Sequence, residues 1–343
     1  MRKRPLIAGA VIVALAGVAA VVGVRVWRDS TGSELEQAAA YAPADAQRLS
    51  WTDWAAVRDE VGTDDLQDLL DAGFDADLTS ASALVGSAPL LQPRFGFSPA
   101  TADWELFSQS ESGAVVIVRL PDDADFAEVA DTLEDTGFTR PAEEDGVWAG
   151  GVELLPRIGA DLTPELQYVA LDADDHLVLT SDTEAYLQET VDTLRRGDTP
   201  GPLSDVLAAS GDPLTASVYD GAYTCSALAM SQADAGDQAL ADRLVEEAGE
   251  VNPVTAFAMS VQPDRSVRVA LAFENADQAR TNADSRAVLA EGPAPGQGGE
   301  FGDRFTVQSV TADGDVVTMD LEPRAGSFVF SDLSSGPVLF ATC

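Results

Sequence analysis

Apolar positions follow three different rhythms along this chain. The first is unbroken: Leu6 to Val24 is a run of 19 residues with no charge and no polar side chain. As a helix rising about 1.5 Å per residue it spans roughly 28 Å, close to the ~30 Å hydrocarbon core of a bilayer. A helix is the structure that satisfies the backbone of a single open segment there. Pro5 stands at its entrance, where a missing N–H costs least, and Arg25, Trp27 and Arg28 follow as interfacial residues. The pattern predicts a transmembrane anchor over residues 6–27, behind a tail of residues 1–5. A cleaved signal peptide is the alternative, but its apolar stretch is usually about 7–15 residues, and the A-x-A pattern at Ala14–Ala16 lies inside the run.

The other two rhythms are helical spacing and period-two alternation. Residues 28–48 read as an alanine-rich stalk, and two short helices follow. In the first, Ser50 and Asp53 resemble a capping pair, and Trp51, Trp54 and Val57 share a face. In the second, Thr63 caps, Leu66, Leu69 and Leu70 bury, and Gly73 ends the helix. The rest repeats one phrase, strand–turn–strand–helix, over 104–107, 115–120 and 126–136, then 168–171, 177–180 and 184–196, then 255–261, 267–273 and 277–290. Asp122, Asp182 or Asn275 precedes each helix as a cap, and Gly137, Gly197 or Gly292 follows it, where a left-handed end is cheap. The first and third copies are each followed by another hairpin, turning at Asp145-Gly146 and at Asp313-Gly314. Segments 203–209 and 215–219 and a helix near 237–248 lie between. These repeats predict an α+β fold of antiparallel hairpins with helices packed on one face. They also predict two similarly built lobes, residues 49–200 and 203–343, hinged at Pro200, Gly201 and Pro202.

Charge sharpens the picture. The chain carries 58 acidic and 20 basic residues, a net charge of −38, and Arg2, Lys3, Arg4, Arg25 and Arg28 all precede the globular part. Such a field repels nucleic acid and anionic head groups, so neither is an expected partner. Lys3 is the only lysine, a usage that a GC-rich genome or a salt-adapted organism writes, and high surface charge serves solubility in itself. The cationic tail before the anchor predicts an amino terminus in the cytoplasm and a carboxy-terminal domain outside it. Two cysteines, Cys225 and Cys343, fit one disulfide in an oxidising compartment, with two unrelated buried thiols as the alternative.

Candidate chemistry is sparse. His176 is the only histidine, so paired-histidine zinc sites and Ser-His or Cys-His catalysis are excluded. Its turn offers Asp172, Asp174 and Asp175 to calcium, but Leu177 and Thr183 stand where an EF-hand needs Gly and Glu. The loop Gly292–Gly299 lacks a Gly-Lys-Ser/Thr and is flanked by Glu291, Glu300 and Asp303, so it reads as a connection or a binding loop rather than a phosphate cradle. Neighbouring acids such as Glu143–Glu144 and Glu246–Glu247 do not face each other across a cleft, as glycoside cleavage requires. No catalytic, cofactor-binding or metal-ligating set is expected.

Three segments carry a resemblance: Pro43-Ala-Asp with Ser50-Trp-Thr-Asp-Trp54, Gly292–Gly299 running into Phe301–Phe305, and the ending Gly336–Cys343. They resemble actinobacterial single-pass membrane-anchored proteins with an extracytoplasmic α+β domain, a family of uncharacterised role. The resemblance implies placement and transfers no activity or site residues. The expectation is a non-enzymatic binding or accessory protein of the cell envelope, with an envelope protein or cell-wall component as partner. The alternatives are a carboxylate-dependent envelope hydrolase acting on glycans, and a cleaved, freely secreted form of the binding protein.

Overall fold

The computed structural model describes residues 32–143, 146–196 and 203–343. The expected tail and anchor, Asp145 of the first hairpin turn, the helix stop at Gly197 and the hinge at 200–202 lie outside them. No helix among the described residues is long and apolar enough to cross a membrane.

The described residues open with α1 (Glu34–Ala39), β1 (Arg48–Thr52), α2 (Trp54–Val61), α3 (Leu66–Asp75) and α4 (Ala88–Phe95). Then come β2 (Trp104–Gln109), β3 (Ala114–Arg119), α5 (Phe126–Thr136), β4 (Val147–Ala149), β5 (Tyr168–Asp172), β6 (Leu177–Ser181) and α6 (Glu184–Arg196). The second half runs α7 (Ser204–Ser210), β7 (Thr215–Asp220), α8 (Ala235–Ala248), β8 (Ala256–Val261), β9 (Val267–Ala272), α9 (Ala276–Glu291), β10 (Phe305–Asp313), β11 (Val316–Pro323) and α10 (Val329–Ser334).

The eleven strands among the described residues form one antiparallel sheet, in the order β4-β5-β6-β3-β2-β1-β7-β8-β9-β11-β10. The architecture is therefore α+β, and the two halves follow one path. Each starts at the centre with β1 or β7 and adds two strands outward in chain order. Each then crosses by a helix, α5 or α9, to the outer edge and returns inward. The expected lobes are thus halves of a single sheet, joined where β1 pairs with β7 from Arg48↔Tyr219 to Thr52↔Thr215. Its edges are blunted, one by the three residues of β4 and the other by a register shift between Val307 and Ser309 in β10.

The expectation of helices on one face is corrected: both faces are covered. On face A, α2 to α5 and α8 to α10 bury Trp54, Phe95, Leu133, Leu289 and Phe330 against strand residues such as Val116, Val118, Phe257 and Met259. On face B, α1, α6 and α7 bury Leu35, Leu187 and Val206 against Trp51, Ile117 and a run of Ala256, Ala258, Ala270 and Ala272. Sheet residues apolar on both sides require a second layer, and the short Glu34–Ala39 helix is part of it. Residues 34–39, expected as stalk, are instead capped by the reciprocal Ser33–Glu36 pair and packed by Leu35, Ala38 and Ala39.

Other local expectations meet mixed outcomes. The helix 126–136 has the expected bounds and ends at Gly137, whose φ of 107° is the left-handed conformation that glycine adopts without strain, but its cap is Asp125 rather than Asp122. Asn275 caps α9 by accepting the Asp277 and Gln278 amides, whereas Gly292 after it has φ −98° and is not left-handed. Asp65 caps α3 in place of Thr63, and α3 runs through Gly73 to Asp75. Ser50 and Trp51, read as a helix entry, lie in strand β1, and the helix begins only after Asp53. The hairpin after α5 reduces to a bridge between Thr139 and Ala149. Cys225 and Cys343 are joined in a disulfide with Cα atoms 5.7 Å apart, closing 118 residues of sequence. By chain entropy such a loop contributes about 5 kcal/mol to stability.

Candidate functional site

The junction of the halves is polar on face A because β1 alternates. Leu49 and Trp51 point to face B, so Arg48, Ser50 and Thr52 point to face A. Register places Arg48 opposite Tyr219, Ser50 opposite Ser217 and Thr52 opposite Thr215. Ser50, Thr52 and Ser217 are at most 1 % exposed, and their hydroxyls make no hydrogen bond among the described residues. Arg48 Nε is likewise buried and unbonded.

At the Arg48 end this polar stripe opens into a cavity of about 310 Å³, lined by Arg48, Ser80, Tyr219, Tyr223, Ser331 and Ser335 among others. The Tyr219 and Tyr223 rings stack, centroids 5.5 Å apart and planes 6° from parallel, and the Arg48 guanidinium lies 5.9 Å above Tyr219. Tyr219 Oη donates to Ser334 O at 3.2 Å, which ties the floor to α10. Burial pushes the Tyr219 phenol up, against the opposing pull of the Arg48 charge. Beside this lining, at the start of α10, lies a joint between the halves: the Asp77 carboxylate accepts the Phe330 amide at 2.7 Å and the Ser331 amide at 3.2 Å, capping α10 from the first half. Burial raises the Asp77 carboxyl, and these hydrogen bonds oppose the shift.

The residues singled out in the sequence lie elsewhere. Asp174, Asp175 and His176 line a wider cleft of about 640 Å³ with Glu34, Asp103, Arg119 and Asp122. His176 sits at φ 55° in the β5–β6 turn, with its ring edge-on to Phe126. The Asp172 carboxylate accepts the Asp174 and Asp175 amides, both at 3.1 Å, so it shapes its own turn. Asp103 is raised by burial while Arg119 and Arg58 pull it down. Glu246 and Glu247 are adjacent on the exposed side of α8, and Glu144 lies outside the described residues. In the Gly292–Gly299 loop, Gln297 donates to Asp332 O and Pro337 O, and a Cβ on Gly296 would lie 2.2 Å from the Pro337 ring. That loop packs the carboxy-terminal segment.

Two buried charges organise the layer of helices on face A. Glu105 on β2 accepts Trp54 Nε1 and Ser82 Oγ at 2.8 Å and the Ala83 amide at 2.7 Å; burial outweighs these donors and lifts it to about 7. Arg286 on α9 donates to Phe340 O and Asn252 O, both at 2.6 Å, and to Asn282 Oδ1, beneath the Phe273 ring. Burial lowers Arg286 to about 9, so it stays charged at neutral pH. Both groups are spent on holding loops. Asp53, the cap of α2, is raised to about 6, chiefly by burial.

No family model matches the chain, and no curated protein matches it. Among solved structures, crystal form I of TP0453 superposes with a TM-score of 0.43 at 9 % identity, over 88 % of this chain and 97 % of that one. Crystal form III of TP0453 gives 0.41 at 8 % identity, over 87 % and 97 %. Likeness at that level carries no inference about activity.

Arg48, Tyr219 and Tyr223 were not foreseen as a site. The signal for Arg48 was present in the alternation Arg48-Leu49-Ser50-Trp51-Thr52, which is a strand rhythm with a polar face. Nothing local links it to Tyr219 and Tyr223, more than 160 positions away.

Proposed function

We propose that this chain is a non-enzymatic binding or accessory protein of the cell envelope. Residues 6–27 anchor it, with the amino terminus in the cytoplasm and residues 32–343 outside. The observation that carries the reading is the Cys225–Cys343 disulfide, because such bonds persist in oxidising compartments and are rare in the cytosol. The 19-residue apolar run and its cationic flank support the same placement. The net charge of −38 disfavours nucleic acid and leaves an envelope protein or cell-wall component as the partner. A membrane-impermeant thiol reagent applied to intact cells tests this. Labelling of the cysteines only after reduction is expected; labelling only after lysis, without reductant, would sink it.

One observation favours a second reading, a glycan hydrolase working through carboxylates. Asp103, raised by burial, faces the wide acidic cleft with Asp122, Asp175 and Glu34. Purified protein that releases sugars from envelope glycan, with loss of release in Asp103→Asn, would replace the binding reading.

A further inference from the structure

We propose that the cavity at the β1–β7 junction binds a small ligand through an oxyanion, a carboxylate or a phosphate group, and that the Cys225–Cys343 disulfide holds its wall in place. The proposal deepens the binding reading above, and its anion site, unlike the part played by the disulfide, is independent of where the protein resides.

Charge is the first argument. A chain with net charge −38 repels anions over most of its surface, yet the lining of this cavity contains a guanidinium and no acidic residue. The wide cleft differs in this respect, since its Arg119 is paired with Asp122 at 2.9 Å.

Unspent hydrogen-bonding capacity is the second. Arg48 Nε is buried without a hydrogen bond, and a buried donor left unmade is costly. The guanidinium lies 5.9 Å from the Tyr219 ring centroid, and its fork matches the two oxygens of a carboxylate or phosphate. Ser80 and Tyr223 supply hydroxyls to the same cavity. Its 310 Å³ is at the lower end of the ~300–1,000 Å³ range of small-molecule sites.

The disulfide enters through the wall. Tyr223 and Leu228 come from the helical turns over residues 221–228, which include Cys225. Ser331, Ser334 and Ser335 come from α10 and its end, followed closely by the carboxy-terminal segment. Those two pieces are laced together by Val338 N donating to Leu228 O at 2.9 Å and by the Cys225–Cys343 bond. Reduction removes one of these two links and lets the two sides of the cavity separate.

The test uses the full chain in detergent micelles with ¹³C-labelled tyrosine rings, since five tyrosines give few signals to assign. Inorganic phosphate and acetate are titrated separately. Either or both should shift Tyr219 and Tyr223 saturably while leaving Tyr41, Tyr168 and Tyr186 in place, and which anion does so identifies the ligand group. Arg48→Gln should weaken that binding by about tenfold or more, and Arg48→Lys by less, because a point charge remains without the fork. Reduced protein should bind more weakly than oxidised protein. The three remote tyrosines report whether each variant is folded; if Arg48→Gln is not, Arg48→Lys decides by the same comparison. No saturable shift of Tyr219 and Tyr223 with either anion, or unchanged affinity in the decisive Arg48 variant, overturns the site. Equal affinity before and after reduction overturns the role of the disulfide. Neither result bears on the thiol-labelling outcome, so the site and the cellular placement fail separately.

Discussion

Glu105 in the first half of the sheet and Arg286 in the second are both withdrawn from water, and each is answered by neutral groups rather than by an opposite charge. The acid sits on a strand and collects donors, two side chains and the Ala83 amide, at the entry to α4. The base sits on a helix and collects carbonyl oxygens at Asn252 and Phe340, from two segments that have no sheet partner. The difference follows from what each loop leaves unpaired. A turn leading into a helix has spare N–H groups, whereas the irregular stretch at Asn252 and the short helical turn Leu339–Ala341 leave carbonyls without a ladder partner. One buried charge of the right sign serves several of them at once, which an uncharged side chain with fewer donors or acceptors cannot do.

The half organised by Arg286 should therefore suffer most from losing its charge. Arg286→Met leaves the buried Phe340 carbonyl and the part-buried Asn252 carbonyl without their donor and should cost about 4 kcal/mol, read as a drop in urea midpoint; a loss under about 1 kcal/mol would mean the carbonyls find water. Glu105 should reveal itself through pH. Its folded pKa is raised, from the ordinary 4.5 to about 7, so its contribution is fully present below 4.5 and is lost as pH rises to 7. Stability should therefore increase on acidification through that window, by about 3 kcal/mol from this group. Glu105→Gln should flatten that part of the profile, and an unchanged profile would show that the carboxyl is not the source. The smallest effect tests the joint between halves. Asp77→Ala removes the cap of α10 and should cost about 1 kcal/mol, with faster hydrogen exchange at the Phe330 and Ser331 amides.

Local grammar was legible and long-range pairing was not. The bounds of the helices at 126–136 and 184–196 could be read because amphipathic spacing is a local signal within each segment. The likeness of the two halves was visible for the same reason. Strand β1 was misread because Asp53 does cap a helix, and five alternating residues before it carry less signal than the cap. Face B went unseen because strands buried on both sides show no polar face to mark the missing layer, as in Ala114–Arg119. The burial of Glu105 and Arg286 is settled by segments remote in sequence, Phe340 among them, so composition gave no hint of it.

The placement of β1 has a consequence for how the protein is made. This strand emerges early, and β2 can cover one of its edges after about 60 residues, but the other edge is reserved for β7, more than 160 residues later. At ~15 residues per second the interval is roughly ten seconds, during which a half-finished sheet shows an open row of backbone donors and acceptors at its centre. Biogenesis therefore has a vulnerable window in the middle of synthesis, and a chain interrupted before β7 keeps that sticky margin permanently.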